Sequence, residues 1–304
     1  MTITPEPTLT PVEHELCLDG GPIRYRVTGA GPLLVVHPPG WGIGATPYAA
    51  TLSPLQDQFT VVYLWPRGAA GLPPSNRSDL NVGAFAEDLE QVRLHLAVND
   101  FTLAGHSHGG LIALHYALRN PGRVTRLLLL DAQLDGVAAS PGEEPPAGPL
   151  PPEVRDALAY LNSAGGLGVI SELRTDAETT EFLGHILPLY FSNPANMAPL
   201  VRAMQGLTLP RHTLQTVTAT DGRYPLDPRA LPTVTTPTVL VAGRQDRFCP
   251  LGQARQLVNI LPLATLMSFE DSGHFPWLEE PGLFFASVPA ALASAGHPAP
   301  AGPG

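Results

Sequence analysis

Gly105-His106-Ser107-His108-Gly109 places a serine between two glycines, each two positions away. The run follows the apolar, strand-like residues 101–104 and precedes residues 108–119, which have helical spacing. A serine on such a sharp strand-to-helix turn is lifted above the sheet on a strained backbone, which is tolerated only if its near neighbours lack side chains. The helix behind it aims backbone N–H groups at the same spot, so the His108 N–H can hold an oxyanion. A hydroxyl is a poor nucleophile; it needs a base, and the base needs an acid to hold its tautomer. Both follow downstream in the order acid, then histidine. Asp246 closes Gly243-Arg244-Gln245-Asp246 after the apolar residues 238–242, and His274 closes Glu270-Asp271-Ser272-Gly273-His274 after residues 264–269. The predicted roles are Ser107 as nucleophile, His274 as general base and then acid, and Asp246 as the orienting carboxylate. Asp131, at another strand end, and Asp271 compete for the last role; Asp271 sits too near His274 in sequence to face it easily across a loop.

A second oxyanion donor is expected from the loop His37-Pro38-Pro39-Gly40-Trp41-Gly42. Pro38 and Pro39 have no N–H, which leaves the backbone of Trp41, preferred, or of Gly40.

These residues need a sheet to carry them. Residues 13–17 and 23–28, joined at Asp19-Gly20-Gly21, read as a hairpin. The apolar runs 33–37, 60–65, 101–104, 124–130, 238–242 and 264–269 read as strands buried on both faces, hence a mostly parallel sheet. Helical spacing at 48–58, 82–98, 108–119, 251–261 and 283–293 covers it on both sides, which is an α/β fold. In the helix at 82–98, Phe85, Leu89, Val92, Leu94 and Leu96 are expected to face the core, and Glu87, Asp88, Glu90 and Arg93 to face solvent. The rhythm breaks after a proline-rich link, residues 140–153, with helices expected at 154–161, 177–191 and 198–204. The predicted organisation is therefore a first core part, 1–133, a helical cap insertion, 134–232, and a second core part, 233–304. The apolar stripe Phe182, Ile186, Leu187, Leu189, Tyr190, Phe191, Met197 and Met204 is divided between core and cleft, which favours neutral substrates with an apolar acyl or aryl part.

Composition narrows the chemistry. The chain has 304 residues and a formal net charge of -10, which disfavours nucleic acid and anionic membranes as partners and favours a small molecule. All 17 basic residues are arginine, so Schiff-base and P-loop lysine chemistry are excluded. Cys17 and Cys249 have no metal-finger spacing, and a reducing cytoplasm is the expected location. Residues 1–10 lack the features of a secretion signal, and the tail Gly296–Gly304 is expected to fray. The serine chemistry needs no cofactor and no metal; His106, His108 and His115 read as turn and packing residues rather than ligands. Gly40, Gly42 and Ala45 mimic a dinucleotide fingerprint, but the following strand carries no acid for a ribose. The sequence leaves a homo-oligomer open.

In the order P-G-W-G, Pro66-Arg67-Gly68, G-H-S-H-G-G, G-R-Q-D and S-G-H-F-P, the chain resembles the α/β-hydrolase superfamily, and within it the proline-iminopeptidase-like serine hydrolases, over about residues 23–289. The resemblance implies the α/β-hydrolase fold with an inserted helical cap, and the triad named above. It departs at HPPGWG, where family aminopeptidases usually have H-G-G-P-G, and in residues 134–232, which contain none of the tryptophans that such caps carry. Amine recognition would fall to Glu153, Glu172, Glu178 or Glu181, each more simply a solvated charge. The expected activity is cleavage of a small, largely apolar ester, thioester, lactone or amide through an acyl-enzyme. Alternatives are an aminopeptidase, a cofactor-free C–C bond hydrolase and a ligand-binding receptor on the same scaffold.

Overall fold

The computed structural model describes residues 12–296 apart from 75, 141 and 143–147. The expectations for residues 1–10, for 297–304 and for part of the proline-rich link lie outside the described residues. Eight strands form one sheet: β1 (Glu13–Leu18), β2 (Gly21–Gly29), β3 (Leu33–His37), β4 (Thr60–Trp65), β5 (Phe101–His106), β6 (Val124–Leu130), β7 (Thr238–Gly243) and β8 (Ala264–Phe269). Their spatial order is β1-β2-β4-β3-β5-β6-β7-β8; β2 runs antiparallel to β1 and β4, and the remaining pairs are parallel.

Alternation along each central strand divides the interior into two cores. Leu127 and Leu129 of β6 face one core; Leu128 and Leu130 face the other. The first core is closed by α2 (Val82–His95), α3 (His108–Arg119) and α8 (Leu251–Ile260). The second is closed by α1 (Thr46–Thr51), α9 (Pro276–Glu279) and α10 (Pro281–Ser294). Between β6 and β7 lie α4 (Pro152–Ser163), α5 (Asp176–Ile186), α6 (Ala198–Ala203) and α7 (Arg211–Thr220), packed on the second core through Val154, Phe182, Ile186, Leu200 and Leu214.

The helix expected at 48–58 is interrupted. Pro54 has no N–H for the Ala50 carbonyl, which accepts from the Ser53 hydroxyl at 3.2 Å instead, and residues 53–57 continue as a 3-10 turn. Pro188 ends α5 in the same way, so the stretch expected as helix to 191 closes in a 3-10 turn, Leu187–Tyr190. The division of α2 between core and solvent also needs correction. Leu94 is 53% exposed, whereas Asp88 and Arg93 are buried. Asp88 is paired with Arg67, and Arg93 with Glu90, so each charge enters the interior with a partner.

The sheet order reverses at β3: β4 lies to one side and β5 to the other. In open parallel sheets a ligand crevice forms at such a switch, outside the carboxyl ends of the strands. His37 of β3 pairs with Gly105 of β5, which brings the loop 38–41 beside Ser107.

Candidate active site

Ser107 sits between β5 and α3 with φ 55° and ψ −124°. A residue with a side chain keeps this backbone only under constraint. The Ser107 N–H donates to the Leu130 carbonyl at 3.0 Å, and its carbonyl accepts from Gly110 and Gln133 at 2.8 and 2.9 Å. The flanking glycines are sterically required: a methyl on Gly105 would lie 2.3 Å from the Gly109 oxygen, and one on Gly109 would lie 2.4 Å from the His37 oxygen. His108 supplies the first amide of α3, at the positive end of the helix dipole.

His274 Nδ1 lies 2.6 Å from Asp246 Oδ2. Oδ1 of the same carboxylate accepts from the Phe248 and Cys249 N–H groups at 2.8 and 3.1 Å, which fixes the carboxylate plane. The Asp246 and His274 loops leave the ends of adjacent strands and are joined by the Gln245 N–H on the Ser272 carbonyl, 2.8 Å. The competing acids stand elsewhere. Asp131, at φ 41°, accepts from the Gly243 N–H at 2.8 Å, and burial together with the Asp246 charge pushes its carboxyl well up. Asp271 is exposed, and its amide is held by Glu280.

The histidines of the serine loop take separate partners. His106 Nε2 lies 3.0 Å from the His274 carbonyl, which can only accept, so Nε2 carries the proton and Nδ1 accepts from the Tyr48 hydroxyl at 2.7 Å. Burial, with the neighbouring His274, holds its pKa well below the ordinary histidine value, so this neutral ring supports the His274 backbone from beneath. His108 Nδ1 accepts the Gly40 N–H at 3.1 Å, and His115 Nε2 bonds the Tyr224 carbonyl. The Gly40 amide therefore points at a side chain of the serine turn.

A cavity of about 540 Å³ opens over these residues. Ser107 and His274 line it together with Trp41, Tyr48 and Phe275, and Leu183, Leu187, Met197, Leu200 and Met204 form the side toward α5 and α6. Among the described residues lining it there is no Asp, Glu, Lys or Arg. Of the sequence-predicted stripe, Leu187, Tyr190, Met197 and Met204 reach the cavity, while Phe182, Ile186, Leu189 and Phe191 are buried in the core. Glu153, Glu172, Glu178 and Glu181 are exposed and do not line the cavity. Tyr48, Cys249 and Glu279 were not singled out from the sequence for the site; Tyr48 bonds His106, 58 positions away, and Glu279 reaches Ser192 and Asn193 as well as the nearby Gly273, while the Cys249 amide bonds Asp246.

Residues 32–281 match a family described as alpha/beta hydrolase fold. The chain is 28% identical over 256 residues to a pimeloyl-[acyl-carrier protein] methyl ester esterase of Aromatoleum aromaticum, covering 82% of this chain and 93% of that one. It is 26% identical over 267 residues to a 2-hydroxy-6-oxononadienedioate/2-hydroxy-6-oxononatrienedioate hydrolase of Pseudomonas putida, with 83% and 85% covered. Among solved structures, an alpha/beta fold family hydrolase from Bacillus anthracis superposes with a TM-score of 0.73 at 21% identity, over 92% of this chain and 99% of that one. With a family match across most of its length, the chain belongs to the alpha/beta hydrolase fold family and is a hydrolase.

Proposed function

We propose that the protein is a serine hydrolase that cleaves neutral, largely apolar acyl compounds, esters foremost, with residues 134–232 as a cap over the site. The observation that carries this reading is that the strained serine and the carboxylate-held histidine open onto one cavity with no Asp, Glu, Lys or Arg among the described residues that line it. Ser107 attacks the carbonyl carbon and its proton passes to His274 Nε2. Asp246, bonded at Nδ1, holds the tautomer and stabilises the imidazolium. The oxyanion is held by the His108 N–H and the Trp41 N–H; the bond from the Gly40 amide to His108 Nδ1 favours Trp41 over Gly40 as the second donor. The intermediate collapses by expelling the alcohol with the proton from His274. A water, activated by the same ring, then releases the acid from Ser107.

The composition of the cavity supports an uncharged acyl part. Placing a carboxylate among aliphatic side chains without a cation costs several kcal/mol. The dioate named for the Pseudomonas putida relative is therefore a poorer fit than a monoester, and an amine-directed peptidase would find no lining carboxylate among the described residues. The test is turnover of p-nitrophenyl octanoate together with labelling by a fluorophosphonate. Both are expected for the wild-type chain and both are lost in Ser107→Ala; a wild-type protein that is inert to a broad ester panel and unlabelled overturns the reading.

A further inference from the structure

Residues 189–193 of the proposed cap run across the two loops that carry Asp246 and His274. Arg247 Nη1 donates to the Leu189 and Phe191 carbonyls at 3.3 and 3.1 Å, and the His274 N–H donates to the Tyr190 carbonyl at 2.7 Å. The backbones touch so closely that a methyl on Gly273 would lie 2.5 Å from the Tyr190 oxygen. One side chain joins both sides. Glu279 Oε1 accepts from the Gly273 N–H at 2.7 Å, and Oε2 accepts from the Ser192 and Asn193 N–H groups at 2.8 and 3.2 Å. Between those anchors stands Tyr190, whose ring lines the cavity, stacks on Phe248 at 4.1 Å and lies 5.2 Å from the His274 ring.

We propose that Glu279 is a positioning residue that latches the cap to the histidine loop, and so sets how closely the Tyr190 wall fits the acyl chain. This rests on the serine-hydrolase reading above. The latch needs the ionised carboxylate, because three N–H donors share its two oxygens and a protonated carboxyl gives up part of its accepting capacity. Burial is the main cause that raises Glu279 to about 7; the three amides oppose it and the Asp246 charge adds to it. The other charged or titratable groups near it are the Arg247 guanidinium, the Asp131 carboxyl, His274 on the same loop and Glu280 next in the chain. The cap presents the Ser192 and Asn193 amides, with Tyr190 beside them, whose hydroxyl is pushed up by burial and stays neutral. The latch is therefore closed above about pH 7 and loosened below it.

The experiment is the ratio of kcat/KM for p-nitrophenyl octanoate to that for p-nitrophenyl acetate, measured from pH 5.5 to 8.5 on the wild-type chain and Glu279→Gln. Titration of the triad is common to both esters and cancels in the ratio, so the ratio reports the cavity wall. In the wild type it should rise roughly tenfold, the effect of a lost charge-assisted hydrogen bond, with a midpoint near pH 7. In the variant it should stay low and flat. A flat wild-type ratio overturns the proposal, as does a folded Glu279→Gln protein that keeps the pH step. The wild-type titration decides by itself if the variant does not fold. Wild-type protein inert to both esters overturns the hydrolase reading and the latch with it, whereas turnover of both with a flat ratio overturns the latch alone.

Discussion

Gly109→Ala tests the serine turn at its tightest point. The added methyl would lie 2.4 Å from the His37 oxygen and 2.8 Å from the Pro38 oxygen, where ordinary contact begins at 3.4 Å. Both are backbone atoms, held where His37 pairs with Gly105, and neither can rotate aside. The turn and the loop 38–41 must therefore part by about 1 Å, a displacement that costs about 100-fold in rate when it separates reacting groups. That loop carries the proposed Trp41 donor. The expected result is a fall in kcat of about 100-fold, or about 2.7 kcal/mol in the barrier. KM should change little, because the acyl cavity is walled largely by α5 and α6. Overpacking should also lower stability by about 1–3 kcal/mol. Steady-state hydrolysis of an octanoate ester, with circular dichroism melts to establish folding, measures both effects. A folded Gly109→Ala enzyme with kcat within about threefold of wild type refutes the reasoning.

Two further predictions concern buried imidazoles. His106→Phe keeps an aromatic ring but strands the His274 carbonyl and the Tyr48 hydroxyl, so urea unfolding should report a loss of about 1–3 kcal/mol for each unpaired group, with lower kcat; an unchanged midpoint would contradict the support role. Burial lowers His37 to about 4, so as pH falls from 6.5 the unfolded chain takes up the proton first. The stability gained by keeping His37 neutral is present above pH 6.5 and lost toward pH 4, about 3 kcal/mol in all. Glu279, raised to about 7, acts in the opposite direction between about pH 4.5 and 7, because the folded state holds its proton more tightly. Urea titrations at pH 7 and pH 4 should show a smaller acid loss in His37→Asn, and an equal loss argues against the assignment.

Most strands were legible because each is a largely apolar run: residues 33–37, 60–65, 124–130 and 264–269 match β3, β4, β6 and β8 end to end, but β8, expected to be buried on both faces, is the sheet's edge strand and is mostly half-buried or exposed. Ser107, Asp246 and His274 could be located because each follows such a run. What stayed hidden depends on partners far away in sequence. Helical spacing alone sends Asp88 to solvent; only Arg67, brought alongside by the fold, lets it enter the core. The Gly40 amide is a candidate donor until His108 turns toward it. α7, at Arg211–Thr220, escaped notice because its threonines weaken the helical pattern and its buried apolar side chains are Leu214 and Val217 alone, with Thr213 anchored instead by a bond to the Gly68 carbonyl.

The uncharged walls of the cavity have a consequence for how a catalytic cycle ends. Hydrolysis of an ester turns a neutral guest into an acid, which loses a proton near neutral pH, and among the described residues no arginine lines the chamber to hold the resulting anion. On the proposed ester reading, the product would be driven out by the same surroundings that admitted its precursor, so that turnover would run as a one-way valve. Fatty acids should accumulate as inhibitors only in acidic medium, where they remain protonated and oily.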